Sequence, residues 1–170
     1  MDLKSFIRDV PDFPKESVIF KDITLLLQNP SALEETTNAL IKLLNGQKVD
    51  KVVGMESRGF IFGPMLANRL NAGFVPIRKP GKLPSTTLSE TYNLEYGTDT
   101  LEIHKDAIVK GEKVLVHDDV LATGGTANAA CKLIERLGGE IVQCNFLIEL
   151  TFLAGSSKIN EYSVQSLLKY

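Results

Sequence analysis

Several things are scarce in these 170 residues, and each scarcity removes a class of function. There is no basic excess: 19 Lys and Arg against 21 Asp and Glu leave a net charge of −2. Proteins that wrap nucleic acid need a basic face, and polybasic membrane-surface binders need a basic cluster, so neither nucleic acid nor membrane is an expected partner. No apolar run approaches the roughly 18 residues of a membrane-spanning helix. The opening MDLKSFIRDVPDF lacks the unbroken apolar stretch of a signal peptide, which leads us to expect a cytoplasmic protein. Cys131 and Cys144 are the only cysteines; both sit in apolar periodic segments and read as buried free thiols in a reducing compartment. Two Cys and two His, widely scattered, do not make a structural zinc site. Internal repeats, low-complexity tracts and interdomain linkers are also missing, so the length predicts one domain, 1–170, able to bury about 70% of its unfolded surface.

What is present reads as an α/β protein with an open, mainly parallel twisted sheet flanked by helices. Residues 1–30 are short apolar pieces broken by Pro11, Pro14 and Pro30, and read as a small N-terminal hood. Ser31 with Glu34 fits a capping box for a helix whose face is Leu33, Thr37, Leu40 and Leu44, ended by Gly46. A strand, loop and helix pattern then repeats. Lys51–Met55 is β-rich, residues 56–59 turn, and Phe60–Leu70 reads as a helix despite Gly63 and Pro64. Phe74–Arg78 and Lys113–His117 are further strands. Val114, Leu115 and Val116 do not alternate with polar residues, as expected of a strand buried on both faces of a parallel sheet. A glycine-rich turn leads to a helix with the face Ala127, Ala130, Cys131, Ile134 and Leu137, and Ile141–Leu150 is the next strand. Residues 82–98, KLPSTTLSETYNLEYGT, are polar, lack a helical period and exceed ordinary loop length. They read as a disordered excursion or as a flexible lid that closes over substrate.

The chemistry concentrates between Lys113 and Ala130. A buried strand runs into two adjacent acids, Asp118 and Asp119, followed by the loop Ala122, Thr123, Gly124, Gly125, Thr126 and then a helix. Ligands of open parallel sheets bind beyond the carboxyl ends of the strands. A helix N-terminus offers unpaired N–H groups and the positive end of a dipole, which suits a phosphate. The glycines let backbone approach that phosphate closely, and the threonines add hydroxyl donors. The acids would accept hydrogen bonds from a sugar and favour positive charge developing at its anomeric carbon. No Gly-Lys-Ser/Thr and no G-x-G-x-x-G is present, which excludes a Walker P-loop and a dinucleotide fingerprint. The absence of G-x-S-x-G removes an esterase-like hydrolase.

VLVHDDVLATGGT resembles the phosphoribosyl-pyrophosphate signature of the type I phosphoribosyltransferases. VIFKDIT (18–24), GMESRGFIFGP (54–64), PIRKPGKLP (76–84), NLEYGTDTLEIHKDA (93–107) and the closing SLLKY are similar to the adenine-specific branch of that family. The resemblance implies transfer of a phosphoribosyl group from phosphoribosyl pyrophosphate to adenine, giving AMP and pyrophosphate, in a homodimer. It implies Mg²⁺ held mainly through substrate oxygens and a transition state like an oxocarbenium ion. Asp118 and Asp119 would hold the ribose and residues 122–126 the 5′-phosphate. Arg58, Arg78, Lys79 and Lys82 would hold the pyrophosphate, Arg78 reaching a neighbouring subunit's site. Glu95 would be the general acid/base at the purine N7, and Tyr96 would help close the site. Phe20 would stack on the base, while the main chain of Ile19 and Lys21 would read its 6-amino edge. A cis peptide at Glu56–Ser57 is also implied. His117, Lys21 and Pro80 depart from the family pattern without removing a phosphate or ribose contact. His104 reads as a surface strand residue. Two alternatives remain open at this point: a phosphoribosyltransferase for another base, and a non-catalytic regulator that senses phosphoribosyl pyrophosphate.

Overall fold

The computed structural model describes residues 1–94 and 97–170. The chain divides into two compact units, residues 1–39 and 40–170.

In the first unit β1 (Arg8–Val10) and β2 (Phe20–Asp22) pair antiparallel, with Val10 opposite Phe20. A short α1 (Thr24–Gln28) follows, and α2 (Pro30–Lys42) begins in this unit and ends three residues past its last position. The cap of α2 is not Ser31. Asn29 Oδ1 accepts from the Ala32 N–H at 2.9 Å, and Pro30 takes the first helical position. Proline fits there because its missing N–H has no helical partner to lose and its φ is already helical. Thr36 and Thr37 are buried within α2; each returns its hydroxyl to the carbonyl four residues earlier, so neither leaves an orphaned donor.

The second unit is built on five parallel strands: β3 (Lys51–Met55), β4 (Gly73–Ile77), β7 (Lys113–Leu121), β8 (Glu140–Glu149) and β9 (Val164–Lys169). Their order is β4-β3-β7-β8-β9, and every neighbouring pair is parallel. Between β4 and β7 lies an antiparallel hairpin, β5 (Thr87–Asn93) with β6 (Thr98–His104). Residues 87–93 are therefore strand where the sequence reads as loop. Their polarity reflects a ribbon of half-buried and exposed positions rather than lack of structure. Two helices connect parallel strands, α3 (Gly59–Arg69) and α4 (Gly125–Arg136). Gly54 and Gly63 let α3 lie tight against the sheet: a Cβ on either would meet the Phe74 ring at under 3.0 Å.

The core lies between the sheet and its covering elements. Val53, Met55, Val114, Val116, Cys144 and Phe146 supply the sheet side; Ala127, Ala130, Cys131 and Ile134 supply one face of α4. That face is the one the sequence period predicts. Cys131 and Cys144 are free, buried and 3.6 Å apart, and the neighbouring thiol together with burial pushes the Cys131 thiol far above its ordinary range. The fold thus positions a site as follows. From β3 the chain crosses to β4 on one side, and from β7 it crosses to β8 and β9 on the other. The switch in direction between the adjacent β3 and β7 opens a crevice at their carboxyl ends.

Candidate active site

Both segments that leave the switch point carry the residues singled out from sequence. From β7 come the acids and the glycine loop. The strand is longer than the sequence reading, running through Asp118 and Asp119 to Leu121, so the acids stand on the sheet rather than after it. Parallel pairing with β8 continues as far as Leu121 opposite Glu149, which is why the hydrophilic pair does not end the strand. Asp119 is only 3% exposed. Asp119 Oδ2 lies 2.9 Å from Arg58 Nε, an ion pair without hydrogen-bond alignment, and Asp118 Oδ1 accepts from the Asp119 N–H at 2.9 Å. Burial raises both carboxyls above their ordinary values; Asp118 is raised further by the charge of Asp119, whereas Arg58 pulls Asp119 back down.

The loop proper is Ala122, Thr123 and Gly124, with α4 beginning at Gly125. Gly124 has φ +79°, and among the described residues no side chain caps the helix. The first N–H groups of α4 are thus left for an external acceptor. A cavity of about 80 Å³ adjoins them, lined by Asp118, Ala122, Thr123, Gly124 and Thr126 among others. That is several times the space a single water needs. The loop is backed by another glycine. A Cβ on Gly124 would overlap the Gly155 carbonyl oxygen, and a Cβ on Gly155 would overlap that of Ala122.

From β3 comes the turn with Glu56, Ser57 and Arg58, and the Glu56–Ser57 peptide is cis as the resemblance implies. Glu56 gathers the cations that follow β4. Its carboxylate accepts from the Lys79 N–H at 2.6 Å and from Lys82 Nζ at 2.8 Å, and stands 3.3 Å from Arg78 Nε. Burial works to raise this carboxyl, but Lys82, the Lys79 amide and Arg78 together outweigh it and hold it low. The Lys79 ammonium pairs with Asp99 on β6. The backbone of Arg78 bonds Glu102 in both directions, and the Gly81 N–H reaches the Glu102 carboxylate at 3.1 Å. Arg78, Lys79 and Lys82 are therefore held by acids from distant segments. Pro80 sits at the turn between them, with φ +76° at Gly81.

Other residues read from the sequence fall elsewhere. Glu95 and Tyr96 lie outside the described residues. Ile19, Phe20 and Lys21 belong to the first unit. There Ile19 is 56% exposed, Phe20 packs edge-on to Phe13 at 5.2 Å, and Lys21 Nζ donates to Asp9 at 2.7 Å. His117 is structural: fully buried, its Nδ1 lies 2.8 Å from Asn145 Oδ1, and burial lowers its pKa to about 4, so the ring is neutral. His104 accepts the Ser85 N–H at 3.3 Å at the end of β6.

Sequence reasoning missed Glu56, Asp99, Tyr92, Gly155 and the pair Phe152-Leu153. Phe152 is 74% exposed, and with Leu94, Thr123, Leu153 and Lys158 it lines a cavity of about 790 Å³ next to the phosphate-type loop. An apolar pair directly after the carboxyl end of a parallel strand was the available signal. Among the described residues no cluster of three His, Cys, Asp or Glu could hold a metal ion, and no helix is long and apolar enough to cross a membrane. The carboxylate oxygens of Asp118 and Asp119 are hard donors compatible with a Mg²⁺ that is bound chiefly by a ligand's oxygens.

Comparison with known proteins agrees with this geometry. A family model described as "Phosphoribosyl transferase domain" matches residues 22–167. An adenine phosphoribosyltransferase from Christiangramia forsetii is 64% identical over 170 residues, covering 100% of this chain and 99% of that protein. The crystal structure of adenine phosphoribosyltransferase from Thermoanaerobacter pseudethanolicus superposes with a TM-score of 0.97 at 53% identity, covering 99% of this chain and 98% of that one. The enzyme of that name from Saccharomyces cerevisiae, solved with an imino-altritol bisphosphate and adenine, gives 0.92 at 43% identity, covering 97% and 96%.

Proposed function

Since the chain belongs to the phosphoribosyltransferase family and, within it, to the adenine phosphoribosyltransferases, we propose that it transfers the phosphoribosyl group of phosphoribosyl pyrophosphate to adenine. The single observation that carries this reading is the uncapped N-terminus of α4. It is preceded by Gly124 at positive φ and by an acid pair held against Arg58 at the switch point of a parallel sheet. The N–H groups of residues 124–126 and the hydroxyls of Thr123 and Thr126 receive the 5′-phosphate. Asp118 and Asp119 accept the ribose hydroxyls and favour positive charge at the anomeric carbon as the bond to pyrophosphate lengthens. Arg58, Arg78, Lys79 and Lys82 take the pyrophosphate, the last three exchanging Glu56 and Asp99 for the ligand's oxygens.

A Mg²⁺ would be held mainly through the substrate's own oxygens, with Asp118 and Asp119 nearby, and would supply positive charge against that of the pyrophosphate. The base lies against the apolar walls given by Leu94, Phe152 and Leu153, beside the loop. Phe20 stacks on it, and the main chain at Ile19 and Lys21 selects the 6-amino group, because a carbonyl accepts from an amino group and not from a 6-oxo group. Glu95 manages the proton at N7, Tyr96 aids closure, and residues 82–98 act as the lid. The active form is a homodimer in the cytoplasm.

The test is to incubate the protein with phosphoribosyl pyrophosphate, Mg²⁺ and each of adenine, hypoxanthine, guanine, xanthine and orotate, and to quantify nucleotide and pyrophosphate. AMP formation confined to adenine is expected, with its loss in Glu95→Ala. Another preferred base would overturn the specificity. Binding of phosphoribosyl pyrophosphate without product from any base would overturn the enzymatic reading in favour of a sensor.

A further inference from the structure

The loop and the cation run are joined by side chains that neither the fold nor the proposed reaction requires. Tyr92, on β5, packs its ring on the first residue of α4: a Cβ on Gly125 would stand 3.1 Å from Tyr92 Cδ2. The Tyr92 hydroxyl lies 3.1 Å from Thr126 Oγ1 and 3.2 Å from Asp99 Oδ2. That same Asp99 oxygen pairs with the Lys79 ammonium, while Asp99 Oδ1 accepts from the Thr100 N–H at 2.8 Å. The opposite end of β5 is tied down separately. Arg136 Nη1 donates to the Ser89 carbonyl at 2.8 Å and to Glu90 Oε2 at 3.2 Å, so α4 and the hairpin hold together without Tyr92.

The protons in this chain can be counted. An ionised carboxylate only accepts, so the single proton of Tyr92 goes to Asp99. Tyr92 Oη is then left as the acceptor, and Thr126 is the donor. Two bonds point the same way, from Thr126 to Tyr92 to Asp99, and Lys79 donates to Asp99 from the other end. Thr126 and Lys79 are the groups that, on the reading above, take the two ends of phosphoribosyl pyrophosphate. A phosphate that claims the Thr126 proton removes the donor that polarises Tyr92. Asp99 is then less satisfied by Tyr92 and grips Lys79 more firmly. A pyrophosphate that draws Lys79 away leaves Asp99 to pull harder on Tyr92, which strengthens its hold on Thr126.

We propose that Tyr92 and Asp99 are positioning residues forming a hydrogen-bond relay that makes the 5′-phosphate site and the pyrophosphate site antagonise one another. The inference rests on the phosphoribosyl-transfer reading for its ligands. Its use lies in the product complex, where each occupied site loosens the other and hastens release. Reciprocity requires the same factor in both directions.

The experiment titrates pyrophosphate into the whole protein by calorimetry at fixed Mg²⁺, with and without saturating ribose 5-phosphate, a pair that cannot react to give nucleotide. The ratio of the two pyrophosphate dissociation constants measures the antagonism. In Tyr92→Phe the ratio should fall about fivefold, the lower end of ordinary coupling factors. Asp99→Asn should lower it similarly, and the double variant no further, because both substitutions cut one relay. A hairpin that is merely loosened would weaken both ligands and leave the ratio where it was, and that result overturns the relay. Additive effects of the two substitutions also overturn it, since they would mark two separate contacts. Failure of the unaltered protein to bind either ligand would instead remove the reading on which the relay rests, and the relay with it.

Discussion

The two ends of the site are made of different materials. The end proposed for the phosphate is backbone: a strand, three loop residues and a helix start, with Gly124 against Gly155 and little reliance on side chains. The end proposed for the pyrophosphate is side chain: Arg78, Lys79 and Lys82 are distributed over Glu56 and Asp99, carboxylates that lie some twenty positions away in sequence on either side. The first end holds its shape by excluded volume and the second by charge. A backbone cradle is set before the ligand arrives, whereas a charged clamp must exchange partners to receive it.

The contrast is most sharply tested by adding one methyl group. Gly155→Ala should lower kcat/KM for phosphoribosyl pyrophosphate by about 100-fold, the loss expected when a site shifts by roughly 1 Å. Steady-state kinetics should place the effect on that substrate and leave the KM for adenine alone. A near-normal enzyme would mean that the loop is as pliable as the clamp. At the other end Lys82→Ala should lower the same constant by about tenfold, with the deficit shrinking as salt is added, because half-exposed charges are screened. A salt-independent loss would argue that Lys82 acts by shape.

Acid should affect the two ends in opposite senses. Glu56 and Asp99 have lowered pKa values, so the stability they contribute is present above their ordinary values of 4.5 and 3.8 and is lost as pH falls through the folded ones. Asp118 has a raised pKa, so its burial is tolerated at low pH and becomes destabilising as pH rises from 3.8 through the folded value. Asp118→Asn should therefore raise Tm at pH 7 by about 2–4 °C, the shift that about 1 kcal/mol gives a chain of this size, while impairing turnover. Thermal melts should show the gap closing toward pH 4, and an unchanged Tm would mean that the acid pair carries no strain. The smallest effect is expected at His117. Its lowered pKa means that stability falls as pH drops from 6.5 toward about 4, and His117→Asn should flatten that limb of the Tm profile.

The same contrast governs what could be read from the sequence. The phosphate end is contiguous, so VLVHDDVLATGGT displays strand, acids, loop and helix start together, and only the strand's end at Leu121 was misplaced. The parallel sheet was legible for a related reason: Val114 to Val116 lack alternation because both faces are covered. The clamp's cations were visible as a run, but nothing local to Arg78 or Lys79 names Glu56 or Asp99 as partners. Those pairs exist only once β4, the turn after β3 and β6 are side by side. Residues 87–93 were misread because a half-exposed ribbon has the composition of a loop, and its pairing with β6 is a tertiary fact. Ser31 was misread as a cap because the capping-box pattern matched, while Asn29 before Pro30 supplied the actual acceptor.

The Gly124–Gly155 contact sets an order in time as well as a shape. During synthesis the loop leaves the ribosome well before Gly155 does, and until then nothing stands behind its backbone. The strand β8 must first pair along β7 before residue 155 can be delivered to the loop. A nascent or truncated chain ending within β8 would hold the entire signature that marks this family and still lack a formed phosphate cradle. Competence to bind should therefore appear only after residue 155 has emerged and the fold around it has closed.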